Sequence, residues 1–446
     1  MKRSRVVVLL GVLLIVCTAI AAAAPVDPQS TLIPLHMQVL DNGLRVIVKE
    51  IPSYPIAVVN IWVGVGAKDD PEGLSGLAHF FEHLMFKGTP TRPVGQVFKE
   101  VELLGGDANA MTSLDSTAYF IVVPSEHVRQ AMEIQADVIR NSVFDQAEID
   151  RERTVIYEEI SLTKESLDSH LMHRVHQELF AGTSYGKPVG GTHEDLANVN
   201  RQEMLDFHAQ YYVPNNMVLV VTGNVVAEEI FAQARELYGD LPAEHLPPQE
   251  YVPIPVLDGV VYLEEERAVN QSYILLAHPA PGIATRDAAA LTMASIILAQ
   301  GRGARLYKQL VEAERVVNSV TGSYAGYAEA GVFVIHATLD PANVDRFSEV
   351  VRSELQRLRD EPVSQEELER ARAMARSSVA FETESSLNVA LYLGSMESRG
   401  GVMAAVNYSA ILSEITAEDI QRAATLYLDP NAYVHAEIRP EGGGIQ

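Results

Sequence analysis

The predicted order of strands and helices in the first half of this chain is repeated in the second half. In each half, two apolar strands precede a helix: 44–50, 57–65 and a helix around residue 79, then 260–263, 272–277 and 286–299. Leu44 lies 35 positions before His79, and Val260 lies 35 positions before Ser295. A fold in which one kind of domain occurs twice is the simplest account of this equal spacing.

A proline-rich stretch separates the two halves. Residues 241–258 contain five prolines, which fix backbone angles and remove hydrogen-bond donors, as is typical of a linker. We therefore predict an N-terminal domain over residues 30–240 and a C-terminal domain over residues 259–440. Strands and long helices that do not alternate regularly predict an α+β fold, in which each domain is a mostly antiparallel sheet with helices packed on one face.

Residues 1–24 have the composition of a signal peptide. A basic start is followed by an apolar run that ends near Ile20 and by four alanines up to Ala24. The apolar run is short for a membrane span, so we expect cleavage, a periplasmic or secreted protein, and no stable membrane insertion afterwards. An uncleaved membrane anchor is the alternative. Cys17, the only cysteine, lies in this segment, so the mature chain would carry no thiol.

The chain carries a formal net charge of −25. Proteins that bind nucleic acid present basic surfaces, so this charge argues against a nucleic-acid partner. An acidic surface attracts cationic partners over long range. It also keeps a protein soluble, and composition does not separate a preference for basic substrates from that simpler role.

The helix around residue 79 contains the sequence His79-Phe-Phe-Glu82-His83. Two histidines four residues apart project from the same side of a helix, and their neutral imidazoles can share one Zn²⁺. Glu82 precedes the second histidine and can reach a water molecule that the metal activates. Ser75 is placed to cap the start of this helix. The alternative is a surface helix whose two histidines bind no metal.

A third metal ligand is predicted in the helical segment 146–180. Glu152 and Glu159 are seven residues apart, so they share one face of the helix, whereas Glu158 is turned about 100° aside. About 10 Å of helix rise separates Glu152 from Glu159, so both cannot bind one ion. Glu159 fits as the ligand and Glu152 as a residue that supports the ligands. An acidic helix that exposes its glutamates to solvent is the alternative.

Three further histidines, His170, His173 and His176, recur at every third position of the same segment. A second metal site is one interpretation of this spacing. A helix face that exposes histidines to solvent is the interpretation that we prefer. We therefore expect no chemistry from this group.

The histidine motif, His79-Phe-Phe-Glu-His-Leu-Met-Phe-Lys-Gly-Thr89, is accompanied by other characteristic segments. These are Gly105-Gly-Asp-Ala-Asn-Ala-Met-Thr112 with Asp115-Ser-Thr-Ala-Tyr119, Arg151-Glu-Arg-Thr-Val-Ile-Tyr-Glu-Glu159, and Gly303-Ala-Arg-Leu-Tyr307. Together they resemble the pitrilysin/insulinase family of zinc peptidases, which includes the mitochondrial processing peptidases. The likeness extends from about residue 35 to residue 437.

This resemblance implies a zinc-dependent endopeptidase with one Zn²⁺ per chain, held by His79, His83 and Glu159 in the N-terminal domain. It also implies that Glu82 acts as the general base in the hydrolysis of peptide bonds. The C-terminal domain would have the same fold without a metal site. The alternative is a non-catalytic core or scaffold subunit of a processing-peptidase-like heterodimer, although such a subunit would be free to lose any of these four residues.

The resemblance further implies how substrate is bound. The strand edge at Asn109 and Ala110 would bind an extended peptide as an added strand, a mode that suits unfolded peptides or small secreted proteins. Family members that act alone or as matched subunits carry an Arg and a Tyr in the second domain. Arg315 stands near the Arg position, but Asn318 occupies the Tyr position. The chain is therefore similar to the zinc-bearing chain of bacterial two-subunit members, and we expect a homologous partner subunit that supplies the Arg/Tyr pair. A homodimer is the alternative.

Overall fold

The computed structural model describes Leu32 and residues 34–442. The predicted signal peptide, residues 1–24, lies outside this part of the chain. Within the described part, no helix combines the length and the apolar character needed to span a membrane.

The first half folds around a six-stranded sheet. Its strands are β1 (His36–Val39), β2 (Arg45–Glu50), β3 (Ile56–Val63), β4 (Asp107–Thr112), β5 (Thr117–Pro124) and β6 (Met217–Gly223). Its helices are α1 (Leu77–Met85), α2 (Gln96–Leu103), α3 (Val128–Asn141), α4 (Gln146–Glu165), α5 (Leu167–Leu179), α6 (His193–Asn198), α7 (Arg201–Tyr211) and α8 (Ala227–Tyr238). The strand order β1-β2-β6-β3-β5-β4 places β4 at one edge of the sheet.

The second half folds around a five-stranded sheet. Its strands are β7 (Val261–Arg267), β8 (Ser272–Pro281), β9 (Val317–Gly326), β10 (Ala330–Leu339) and β11 (Val434–Pro440). Its α-helices are α9 (Arg286–Ala299), α10 (Val344–Asp360), α11 (Gln365–Glu382), α12 (Ser386–Arg399), α13 (Val402–Glu414) and α14 (Ala417–Tyr427). A π-helix, Tyr307–Ala313, lies between α9 and β9. The strand order is β7-β11-β8-β10-β9, so β9 lies at an edge.

The two sheets have the same topology. Without β1, the order β2-β6-β3-β5-β4 of the first sheet corresponds to β7-β11-β8-β10-β9 of the second. In both sheets the first of these pairs is parallel and the other neighbouring pairs are antiparallel. Helix α9 follows β8 as α1 follows β3, and it carries Ser295 where the repeat spacing aligns His79. The predicted duplication of an α+β domain is confirmed.

Each face of the first sheet packs against a different set of helices. Val59 and Ile61 of β3 point into a core that includes α1 and α3. Val58 and Trp62, on the opposite face of the same strand, pack against α12, which belongs to the second half of the chain. The first sheet is therefore covered on one face by its own helices and on the other by a helix of the second half.

The second sheet shows the reciprocal arrangement. Leu276 of β8 points into a core that includes α9 and α10. Leu275 and Ala277 of the same strand pack against Leu171 and Val175 of α5, a helix of the first half. The two halves thus exchange one helix each, α5 for α12, and each exchanged helix completes the burial of the other half's sheet.

The segment 146–180, predicted as one continuous helix, is divided at Ser166. The backbone of Ser166 is not helical (φ −71°, ψ 109°), and its hydroxyl donates to Ser169 Oγ across 2.9 Å. Serine side chains that bond locally compete with helical hydrogen bonding. Because of this break, α5 leaves the axis of α4 and reaches the second sheet.

The predicted linker, residues 241–258, contains neither helix nor strand. Val252 in this stretch is nonetheless buried in the cluster that α5 forms with the second sheet. The segment therefore lies against the protein and is not a free tether along its whole length. The domain boundaries at residues 240 and 259 stay predictions.

Candidate metal centre

Asp70 holds the start of α1, the helix that carries the histidine motif. Its buried carboxylate accepts hydrogen bonds from the backbone N–H groups of Gly76 (2.7 Å) and Ala78 (2.8 Å). The predicted cap at Ser75 is wrong, because the two oxygens of Asp70 already bind these N–H groups, and the Ser75 hydroxyl is buried without a partner among the described residues. Burial raises the pKa of Asp70 to about 8, although the two hydrogen bonds act in the opposite direction.

Two glycines bring the start of α1 close to the loop before α6. Gly76 and Gly191 have left-handed backbones, with φ of 92° and 72°. A Cβ atom on Gly76 would lie 2.6 Å from Gly191 Cα, and one on Gly191 would lie 2.2 Å from the Ser75 carbonyl oxygen. Neither position therefore has room for a side chain, and the contact fixes the helix start against this loop.

His79, His83 and Glu159 converge on one point where α1 packs against α4. Glu159 Oε2 lies 3.8 Å from His79 Nε2 and 3.4 Å from His83 Nε2. Ligand atoms of the three residues lie within 4.8 Å of one another. Two atoms that share a tetrahedral zinc ion at about 2.0–2.1 Å lie roughly 3.3 Å apart, so the distances suit zinc. Two imidazoles and a carboxylate are also a ligand set of catalytic zinc sites.

The charge state of His79 suits a metal ligand. Burial, and secondly the neighbouring His83, lowers the pKa of His79 to about 4. The side chain is therefore neutral at pH 7, the form in which imidazole binds metal ions. His79 Nδ1 is buried and has no hydrogen-bond partner among the described residues.

The second histidine, in contrast, is supported by a carboxylate. His83 Nδ1 lies 3.2 Å from Glu152 Oε2, and Lys87 Nζ donates to Glu152 Oε1 across 2.6 Å. A carboxylate on the distal nitrogen orients the ring of a metal-binding histidine and makes it more basic. Glu152 therefore lies on the far side of His83 from Glu159, and its role in supporting a metal ligand stays a prediction. Lys87 was not singled out in the sequence; it lies two residues beyond the end of α1 and four residues after His83.

Glu82 lies between the two histidines and the edge strand. Its Oε2 atom accepts a hydrogen bond of 2.5 Å from Thr112 Oγ1, at the end of β4. Burial raises the pKa of Glu82, although this hydrogen bond lowers it. Thr112 is a further residue that the sequence did not single out, because no spacing rule links it to α1.

Asn109 and Ala110 lie in the middle of β4, on the edge of the first sheet. Asn109 is exposed, and its Oδ1 accepts a hydrogen bond of 2.9 Å from the Ala110 N–H. The strand edge is therefore available to an extended chain, as the resemblance implied. Its role in binding stays a prediction.

Two family profiles match this chain. The one described as insulinase, peptidase family M16, matches residues 45–193, and the one described as the M16 peptidase inactive domain matches residues 198–375. The chain belongs to the insulinase family. The histidine motif and Glu159 lie in the first matched segment, whereas Ser295 of α9 lies in the inactive-domain segment.

Relatives within the insulinase family are named as proteases. An uncharacterised zinc protease of Rickettsia bellii is 29% identical over 346 residues, which are 77% of this chain and 83% of the relative. The solved structure of a protease from Helicobacter pylori matches with a TM-score of 0.84 at 24% identity, over 91% of this chain and 99% of that one. Pitrilysin matches with a TM-score of 0.77 at 21% identity, over 94% of this chain but 46% of pitrilysin.

The candidate metal ligands His79, His83 and Glu159 are called the metal group below. A cavity of about 1100 Å³ lies beside the metal group of this insulinase-family chain. His79 and Glu159 line one part of its wall. Glu265 and Tyr327, from the second half of the chain, line another part. The exchange of α5 therefore builds a space that both halves share.

His170, His173 and His176 on α5 also line this cavity. His170 Nε2 lies 2.7 Å from Glu265 Oε2, and His176 Nε2 lies 2.6 Å from the Tyr327 hydroxyl oxygen. The preferred expectation of a solvent-exposed face is therefore wrong, because α5 packs against the second sheet. Among the described residues, only His79, His83 and Glu159 lie close enough together to share a metal ion. His170, His173 and His176 therefore do not form a second metal site.

Arg315 is not among the residues that line this cavity. It is exposed and has a left-handed backbone (φ 55°) just before β9. Asn318, which follows on β9, donates from its side chain to Gln271 Oε1 across 2.7 Å. The part of Arg315 in substrate binding stays a prediction.

Proposed function

We propose that this chain is a zinc endopeptidase that hydrolyses unfolded peptides or small secreted proteins. The observation that carries the proposal is the convergence of His79 and His83, which share α1 with Glu82, and Glu159 of α4 on one point. The zinc-protease names of its relatives support it. These three side chains would hold one zinc ion per chain.

The chemistry follows from the groups around that point. A bound zinc ion supplies Lewis acidity, which polarises a carbonyl group and lowers the pKa of water. Glu82 would accept a proton from the attacking water and pass it to the leaving nitrogen. The water oxygen bonds to the carbonyl carbon and the C–N bond breaks, which leaves a carboxylate and an amine. Burial, which raises the pKa of Glu82, helps this side chain to hold the proton between the two transfers.

Substrate binding is assigned to the free edge of β4. An extended peptide would pair with the backbone around Asn109 and Ala110 and displace the hydrogen bond that the Asn109 side chain now makes to the Ala110 N–H. A folded protein has no free strand to offer, so this mode selects unfolded segments. The net charge of −25 would favour basic ones.

Cleavage of an unstructured basic peptide by the purified mature chain tests the proposal, with Glu82→Gln as the matched variant. We expect cleavage that a chelator abolishes, one bound zinc per chain in both proteins, and loss of cleavage in the variant. A chain that binds no zinc, or a variant that cleaves as well as the wild type, would contradict this assignment and favour the scaffold-subunit interpretation.

We also propose that full activity requires a homologous partner subunit. Two observations support this proposal: Asn318 stands where the family has a tyrosine, and this chain corresponds to 46% of the length of pitrilysin. The partner would supply the Arg/Tyr pair and enclose the substrate from the opposite side. Assays of the lone chain, and of the chain copurified with a second family member from the same genome, test this. Equal activity of the two preparations would refute the requirement, and a self-associated active chain would indicate a homodimer.

The composition of residues 1–24 supports a further proposal, that the protein acts in the periplasm or after secretion. Fractionation of cells followed by sequencing of the mature N-terminus tests it. We expect a soluble extracytoplasmic protein that begins near Pro25. An intact N-terminus in the membrane fraction would instead indicate an uncleaved anchor.

A further inference from the structure

A hydrogen bond joins the histidine helix to the edge strand. Thr112, the last residue of β4, donates from Oγ1 to Glu82 Oε2 across 2.5 Å. A hydroxyl bond of this length to a carboxylate belongs to the strong, charge-assisted class. It occupies one oxygen of Glu82, and Oε1 makes no protein hydrogen bond among the described residues.

The backbone that carries Thr112 is held from two sides. Thr112 pairs with Thr117 of β5, and the turn between them is closed by a hydrogen bond of 2.9 Å from the Ser113 N–H to the Ser116 carbonyl oxygen. The Ser113 carbonyl oxygen in turn accepts a hydrogen bond of 3.0 Å from the Ala67 N–H, in the segment that leads to α1. The Thr112 hydroxyl is therefore presented from a fixed position rather than from a free loop.

The side chains of β4 alternate between two faces. Asp107, Asn109 and Met111 are exposed, whereas Ala110 and Thr112 are partly buried on the other face. Helix α1 packs against this strand. Strand β4 thus exposes its edge to solvent. Two residues beyond Ala110 on the same strand, the hydroxyl of Thr112 donates to Glu82.

We propose that Thr112 is a positioning residue that orients the Glu82 carboxylate, and that β4 thereby couples peptide docking to the alignment of the general base. This inference rests on the proposed function, because it assigns the strand edge to substrate and Glu82 to proton transfer. With Oε2 held by Thr112, Oε1 is the oxygen that remains for the proton of the water. A peptide that pairs with β4 stiffens the same strand from which this hydrogen bond is made.

Three variants of the zinc-loaded chain, assayed with its partner if one is required, test this role. Thr112→Val keeps the shape of the side chain but removes the hydroxyl, and we expect kcat to fall by about 10- to 100-fold with little change in KM or zinc content. Thr112→Ser keeps the hydroxyl and should retain most of kcat. Thr338→Val is the control, because Thr338 is also a partly buried strand threonine that bonds a side-chain oxygen, Ser319 Oγ at 2.8 Å, but in the second sheet. Unchanged kcat in Thr112→Val, or loss of its zinc or fold, would overturn the inference.

Crystal structures of zinc-loaded wild type and Thr112→Val give a readout that does not depend on activity. We expect one orientation of the Glu82 carboxylate in the wild type and a displaced or divided one in the variant. The same orientation in both would refute the positioning role. A reoriented Glu82 in a protein that cleaves no peptide would refute the proposed function and leave the positioning role intact.

Discussion

At the scale of single residues, the two histidines of the metal group are supported unequally. His83 has a carboxylate on its distal nitrogen, and that carboxylate is itself bound by Lys87. The distal nitrogen of His79 has no such partner among the described residues. The affinity of the site for zinc should therefore depend strongly on Glu152, because Glu152 orients the ring of His83 through its distal nitrogen.

We predict that Glu152→Gln binds zinc about 10- to 100-fold more weakly than the wild type. The glutamine amide is neutral, so it makes His83 no more basic and forms no ion pair with Lys87. Zinc titration against a competing chelator measures the change. Glu158→Gln is the control, because Glu158 is exposed on the same helix, next to Glu159. Equal affinity of the two variants would show that Glu152 does not support the metal group.

At the scale of elements, α12 depends on a close contact with the first sheet. A Cβ atom on Gly394 of α12 would lie 2.0 Å from Nε1 of Trp62 on β3. Trp62 is buried, and its indole N–H has no partner among the described residues. The helix therefore approaches the indole as closely as it does because residue 394 has no side chain.

We predict that Gly394→Ala lowers the free energy of unfolding by about 1–3 kcal/mol, because overpacking outweighs the gain in helix propensity. Urea unfolding followed by the fluorescence of Trp62, the only tryptophan, measures the effect where it arises. Gly259→Ala serves as control, since a Cβ atom there meets nothing within 4 Å. A stabilised Gly394→Ala protein would mean that α12 sits farther from the sheet.

Another element contact, between the segment after α9 and α11, should depend on pH. Arg305 donates to both carboxylate oxygens of Glu367, at 2.7 Å and 3.0 Å. Burial alone would raise the pKa of Glu367, but the hydrogen bonds from Arg305 and Ser364 lower it from 4.5 to about 2. A carboxyl group with a depressed pKa stabilises the folded state above its unfolded pKa, and this contribution is lost as the pH falls from about 4.5 to about 2.

We therefore predict that Glu367→Gln lowers the free energy of unfolding by about 2 kcal/mol at pH 7. The difference from the wild type should shrink as the pH falls through the range from 4.5 to 2. Urea unfolding followed by circular dichroism at several pH values measures both effects. Glu366→Gln, at an exposed neighbouring position in the first turn of α11, should unfold like the wild type. A difference that stays constant with pH would show that the ion pair is not its source.

At the scale of the whole molecule, the exchange of α5 and α12 makes the two halves interdependent. Without α12, the face of the first sheet that carries Val58 and Trp62 would be exposed to water. Without α5, the face of the second sheet that carries Leu275 and Ala277 would be exposed. Exposed apolar faces of this kind favour aggregation over folding.

We predict that residues 25–258, produced alone, do not unfold cooperatively and bind a hydrophobic dye. Coexpression with residues 259–446 should restore a stable complex, because the exchanged helices need no covalent link between the halves. Copurification and the emission spectrum of Trp62 measure the outcome. If the first half alone unfolds cooperatively with the emission of the intact protein, α12 is not needed to complete its sheet.

The sequence predicted those features that depend on neighbouring residues. Apolar periodicity predicted β2 and β3 of the first sheet, β7 and β8 of the second, and the extent of α9. The histidine spacing, together with the family resemblance, predicted that His79, His83 and Glu159 share one ion, and their ligand atoms do lie within 4.8 Å of one another. Features set by distant packing could not be predicted. The hydroxyl of Thr112 comes from a strand that only the fold brings to α1. Asp70 lies only six residues before Gly76, but no capping rule links positions that far apart. The break at Ser166 lets α5 pack against the second sheet, which is formed by residues much later in the chain.

The exchange of helices also has an evolutionary consequence. Two like units that each lend a helix to the other are arranged as a domain-swapped homodimer. An ancestral single-domain protein that paired in this way would have needed only a short tether to become one polypeptide. After fusion, the two copies would not have had to stay identical. One copy could keep the histidines of α1, while the other carried Ser295 at the corresponding place and kept only the fold.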